Sequence, residues 1–151
     1  MVEISFDLRR PETDADWEAY YQCRWEILRE PWEQPKGSEK DEHEADAYHV
    51  MAVDHEDIVL GVGRVHFNAP TEAQIRYMAV KEELREGGIG SLILTNLEQY
   101  AIDQGAEKIM LYARENAIEF YLRRGYFSQG PADNLYGQIP HLHMTKTIAK
   151  K

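Results

Sequence analysis

A single cysteine, Cys23, in 151 residues excludes an internal disulfide and fits a reducing cytoplasm. No apolar run approaches the roughly 20 residues that a membrane helix needs. The opening "MVEISFDLRR" has no apolar stretch of the signal-peptide kind. Positive charge is also short: 17 Lys and Arg stand against 27 Asp and Glu, a formal net charge of -10. Nucleic acid and anionic membrane are therefore poor partners, and a cationic one is favoured. Repeats and low-complexity tracts are absent. What remains is a chain of single-domain length, residues 1–151, with 43% hydrophobic and 11% aromatic residues, enough for a packed core.

The patterning alternates helix and strand. "EISFDL" reads as a short strand. Pro11, Thr13 and Asp14 open a helix with Trp17, Tyr20, Tyr21, Arg24, Ile27 and Leu28 at helical spacing, and Pro31 stops it. Residues 33–46 are acidic and punctuated by Pro and Gly, as in a loop. "AYHVMAVD" and "IVLGVGRVHF" follow as a hairpin, and "AQIRYMAV" as a third strand. Ile89, Ile93, Leu97 and Ala101 mark one stripe of a helix that Gly105 ends. "KIMLYA" has the apolar character of a strand covered on both faces. Asn116 and Glu119 form a capping-box pattern for a helix closing at Gly125, and "HLHMTKTI" is the last strand. The fold class is α/β with a mixed sheet and helices on both faces.

The stretch "REGGIGSLIL" places Gly87, Gly88 and Gly90 where a strand passes into a helix. Glycine costs about 1 kcal/mol inside a helix, so its presence needs a reason. One reason is a tight turn with positive φ. Another is an anion site: a helix N-terminus has unpaired N–H groups, and glycines let a phosphate approach them. Arg85 adds a charge-assisted donor. No Lys-Ser/Thr pair follows, so this is not a Walker loop, and G-x-G-x-x-G is absent.

Arg85 to Gly90 reads R-x-x-G-x-G. It follows "IRYMAV", precedes a Leu/Ile-rich helix, and is followed by a strand and "NAIEFYLRRGYF". This order resembles the GNAT superfamily of acyl-CoA-dependent N-acyltransferases. "CRWEILREPWEQPKGSEKDEHEADAYHV" and "QIPHLHMTK" look like the ElaA-type branch, with a departure around "WEQPKG". The resemblance implies a twisted, mostly antiparallel sheet with a splayed strand pair, and acetyl-CoA as co-substrate without a metal. It implies that the backbone of Met78, Ala79 and Val80 pairs with pantetheine. Arg85 and the backbone of Glu86, Gly87, Gly88, Ile89, Gly90 and Ser91 would then hold the pyrophosphate, with Asn116 near the pantetheine. Tyr121 falls where this family often keeps a tyrosine that protonates the departing thiolate. Homodimers are common in the family, so the oligomeric state stays open.

His49, His66, His141, His143, Glu42 and Glu44 are all candidate bases, and none is singled out. The histidines lack helical H-x-x-x-H spacing or a cysteine pair, so no metal is expected. The resemblance implies that residues 33–46 line the acceptor side, for a small-molecule or peptide amine, and their acids would favour a cationic one. A catalytically silent acyl-CoA sensor is the alternative to an N-acetyltransferase, and a protein in which the glycines serve only a turn is a third.

Overall fold

The computed structural model describes residues 5–149. Seven strands form one sheet: β1 Asp7–Arg9, β2 Tyr48–Val53, β3 Val59–Ala69, β4 Glu72–Val80, β5 Lys108–Arg114, β6 Phe127–Leu135 and β7 Ile139–Thr147. Their order is β1-β2-β3-β4-β5-β7-β6. Every neighbouring pair is antiparallel except β4 and β5, which are parallel. Three helices, α1 Asp14–Leu28, α2 Ile89–Asp103 and α3 Ile118–Leu122, complete the mixed sheet-and-helix architecture. Residues 3 and 4 of the expected first strand lie outside the described residues.

Strand alternation builds a core on each face. Val50 and Ala52 of β2 join Ile89, Ile93, Leu97 and Ala101 of α2, the stripe read from spacing. Met51 and Val53 point the other way, onto Tyr20 and Cys23 of α1. α1 starts at Thr13, whose hydroxyl accepts from the Asp16 N–H while the Asp16 carboxylate accepts from the Thr13 N–H, a reciprocal cap. Burial pushes the Cys23 thiol up to about 12, so it is a packed apolar group rather than a nucleophile.

Glycine is needed where α2 meets β3. A Cβ on Gly63 would lie 2.6 Å from an Ile93 methyl and 2.9 Å from Leu97. Opposite Gly63 the β3–β4 register slips, so that Val62 faces Ala79 and Arg64 faces Arg76. Tyr77, at φ 59°, sits in that bulge in a left-handed conformation. One inserted residue reverses the faces of β4. Ala73 and Ile75 pack on the α2 core before it, and Met78 and Val80 do so after it.

Two expectations need correction. β6 was not anticipated: "FSQGPADNL" carries Gly130, Pro131, Asp133 and Asn134, but it is an edge strand, where a proline removes no needed ladder bond. The Asn116–Glu119 box does not form. A 3₁₀ turn over Glu115–Ala117 precedes α3, whose cap residue is Ala117 with no side-chain bond.

Candidate active site

β4 and β5 pair only from Glu72, Ala73 and Gln74 to Lys108, Ile109 and Met110. Beyond that the strands separate, after which the bulge at Tyr77 turns β4. The opening is a cleft of about 1000 Å³. Met78, Ala79, Val80, Arg85, Gly90, Asn116 and Tyr121 all stand on its wall. Glu86, Gly87, Gly88, Ile89 and Ser91 do not, and form the turn behind it.

That turn divides its glycines by role. Gly88 caps α2 at φ 84°, a left-handed conformation with open space around it, so it serves the backbone turn. Gly87 donates its N–H to the Leu84 carbonyl at 3.0 Å and is committed to the same turn. Gly90 has no such φ. A Cβ there would make only ordinary contacts, at 3.5 Å to Phe120 and 3.6 Å to Val80. Its bare Cα widens the cleft rather than relieving strain. Among the described residues the N–H groups of Ile89, Gly90 and Ser91, in the first turn of α2, have no backbone acceptor. Ile89 is 1% exposed, its side chain locked in the core, so only its backbone is on offer. Arg85 donates from Nε to the Val80 carbonyl at 3.2 Å, which holds its guanidinium at the end of β4. Arg124, not singled out from the sequence, lies beside this turn: its Nε reaches Ser91 Oγ at 3.4 Å and its plane covers the Phe120 ring at 3.8 Å.

Tyr121 is buried between Phe120 and Tyr126, edge-to-face with both. Burial raises its phenol well above the ordinary value, so at neutral pH the group is a proton donor.

The candidate bases separate by what already holds them. His49 gives its Nε2–H to the Glu44 carbonyl at 2.8 Å and accepts at Nδ1 from the Tyr20 hydroxyl at 2.8 Å. His66 gives Nε2–H to Asn68 Oδ1 and accepts at Nδ1 from Arg64, both at 3.0 Å. Neither ring is on the cleft wall, and burial lowers both pKa values. Glu44 is bonded to Arg24 at 3.0 Å and Arg64 at 2.8 Å, and Glu42 points to solvent. His141 and His143 do line the cleft. The His141 Nδ1–H is bonded to the Ile139 carbonyl at 2.9 Å, which leaves the Nε2 lone pair unused. Burial, helped by the charges of Arg114, Arg29 and Arg76, lowers its pKa and keeps the imidazole neutral.

The acidic segment 33–46 is not where its charge suggests. None of its carboxylates is on the cleft wall. Asp41 instead bridges Arg64 and Arg76, and Glu44 joins Arg24 to Arg64. Arg24 and Arg64 are both 0% exposed, and Tyr77 stacks beneath Arg24 at 4.2 Å and Arg64 at 4.9 Å. Burial alone would raise the Asp41 carboxyl, but the Arg64 bond and the His43 N–H outweigh it and hold it below the usual range. A helical aromatic stripe containing an arginine, beside an acidic loop, was the signal for this network. The preference for a cationic acceptor expected from those acids loses its basis.

A sheet wedged open beside a glycine turn, with a neutral phenol and a free imidazole facing the gap, is an arrangement suited to group transfer from a long, thin donor. The chain belongs to the acetyltransferase (GNAT) family, whose model matches residues 17–126. It is 32% identical over 129 residues to the uncharacterized N-acetyltransferase YjcF of Bacillus subtilis (strain 168), covering 85% of this chain and 90% of that one. Among solved structures, an aminoglycoside 6'-N-acetyltransferase complexed with coenzyme A has the same fold at TM-score 0.79 and 19% identity, with 96% and 98% of the two chains covered. Escherichia coli ElaA does so at TM-score 0.74 and 15% identity, covering 95% and 99%.

Proposed function

We propose that the chain transfers an acetyl group from acetyl-CoA to a primary amine bound in this cleft. The observation that carries the reading is the separation of β4 from β5 beyond Gln74, which leaves the edge of β4 without a partner strand. Pantetheine amides extend that edge along Met78, Ala79 and Val80 as an added strand would. The free N–H groups at the start of α2, with Arg85 and Arg124, receive the pyrophosphate. Asn116, exposed on the wall and free of a capping role, offers its amide to the pantetheine. A solved neighbour's complex with coenzyme A supports this use of the fold. A cytoplasmic location, where acetyl-CoA is plentiful, fits the lone buried thiol.

The co-substrate supplies an acyl thioester. His141 takes the proton of the attacking amine at Nε2 as the new C–N bond forms. Tyr121 donates its phenolic proton as the C–S bond breaks, so the sulfur leaves as a thiol rather than a thiolate, and the phenol is restored from solvent. The products are an amide and a free thiol, and the proton that His141 takes and passes to solvent offsets the one that restores the Tyr121 phenol. Both groups are already in the required state at neutral pH, the phenol protonated and the imidazole neutral.

Release of free thiol from acetyl-CoA, followed across a panel of amines, tests the reading. Tyr121→Phe keeps the ring and its packing, so kcat is expected to fall by roughly 10²-fold with acetyl-CoA affinity little changed. Full kcat in that variant, where chemistry limits the rate, removes Tyr121 from the acid role. Absence of thiol release with every amine removes the transfer itself.

A further inference from the structure

Besides Arg85, the cleft wall carries three arginines. Arg29, Arg76 and Arg114 line it, and Asp133, which is exposed, is the one carboxylate on the whole wall among the described residues. Arg76 is already paired with Asp41 at 2.6 Å. Among the described residues Arg29 and Arg114 are not paired with any acid. Arg29, 3% exposed, donates from Nε to the Ser38 carbonyl at 3.0 Å and from Nη1 to the Leu28 carbonyl at 3.1 Å. Arg114 donates from Nη2 to that same Leu28 carbonyl at 3.2 Å. One backbone oxygen at the end of α1 thus holds two guanidinium groups side by side. Each keeps further N–H donors that no group among the described residues takes. Burial and the neighbouring Arg29 charge both weigh against Arg114. Two like charges held side by side, one on buried Arg29 and one on half-buried Arg114, are unfavourable until an anion joins them.

The position of the pair gives the anion a meaning. Arg114 lies directly across the β5–β7 ladder from His141, so the two side chains share one face of the sheet as close neighbours. Resting on the transfer reading, we infer that the acceptor is an amine carrying an anionic group, carboxylate or phosphate, a few bonds from its nitrogen. Arg29 and Arg114 hold that group in a two-pronged grip while the nitrogen faces His141. The anion neutralises the pair, and its placement orients the amine for attack. The net charge of -10 does not oppose this, because the acids of residues 33–46 lie outside the cleft.

The test compares matched acceptors in thiol release. Amino acids are set against their decarboxylated amines, and phosphoethanolamine against ethanolamine, which separates carboxylate from phosphate. The anionic member of at least one pair is expected to have the higher kcat/KM, by about tenfold or more, expressed mainly in KM. Arg114→Gln is expected to reduce that ratio about tenfold, and Arg29→Lys, which keeps the charge but not the fork, to reduce it less. Equal kcat/KM within every pair, or a ratio that survives Arg114→Gln, overturns the inference. If no acceptor releases thiol, the transfer reading has failed and the anion site is tested alone. Protein saturated with coenzyme A, whose pyrophosphate occupies the glycine turn, is then melted with and without inorganic phosphate or acetate. A rise in Tm for the native chain that Arg114→Gln abolishes upholds the site, and no rise with either anion overturns it.

Discussion

His141 and His143 both line the cleft, and a single backbone contact fixes the tautomer of His141, the base proposed above. Several histidines and acids were equal candidates by type. The structure separates them by the proton each already shares: His49 and His66 have both nitrogens engaged, whereas His141 has one bonded to the Ile139 carbonyl and one free. With its pKa lowered by burial, the acid limb of kcat/KM should fall below the ordinary imidazole value of about 6.5. His141→Gln should lower kcat by roughly 10²-fold and remove that limb, while His143→Gln should retain it. A pH–rate profile of the three proteins decides this, and an unchanged acid limb in His141→Gln returns the base role to another group. The place of Tyr121 on the cleft wall was legible because its spacing from Asn116 matched a family position. His141 was not, because a tautomer is set by a carbonyl two residues away and leaves no mark on sequence spacing. The same holds for Arg29 and Arg114, which come from the residue after α1 and the end of β5 and meet at the Leu28 carbonyl.

At the scale of elements, β4 decides the site. Its burial alternates along its length, so its strand character was legible in "AQIRYMAV". The bulge at Tyr77 was not, since a tyrosine carries no preference for positive φ. β6 was missed for the opposite reason, because its turn-forming residues are tolerated at an edge. The apolar stripe of α2 was legible, yet its approach to the sheet depends on Gly63, whose role is visible only from the other side. Gly63→Ala should therefore destabilise the fold by about 1–3 kcal/mol, as overpacking against Ile93 and Leu97 does. Equilibrium urea unfolding measures it, and an unchanged midpoint would mean that α2 withdraws freely. Asn116 lines the cleft, but the box with Glu119 that its spacing suggested is absent.

Over the whole molecule, charge is arranged inside as much as outside. The acids of residues 33–46 were expected on the acceptor side, but Asp41 and Glu44 neutralise the fully buried Arg24 and Arg64. Burial lowers the pKa of His49 and of His66, so each favours the folded state fully above about pH 6.5 and less as pH falls toward its folded value. Asp41 has a lowered carboxyl pKa, so its contribution is complete above about pH 4 and is lost as pH falls through the folded value. The urea midpoint should thus decline below about pH 6.5 and steeply below about pH 4. A midpoint that stays flat from pH 7 to pH 4 would show that these groups are not buried as described.

The central claim is that the gap between β4 and β5 is an acyl-CoA site, and Gly90 offers the most direct measurement of it. Replacing Gly90 with alanine introduces no clash and no strained φ, and alanine is the better helix residue by about 1 kcal/mol. The added methyl nevertheless enters the cleft where, on this account, the first turn of α2 would meet the phosphates of a bound acyl-CoA. Calorimetric titration of acetyl-CoA into the native chain and Gly90→Ala should give one site per chain in the former and affinity weaker by about tenfold or more in the latter, with Tm equal or raised. Equal affinity in the two proteins, or no binding to the native chain, would contradict the assignment.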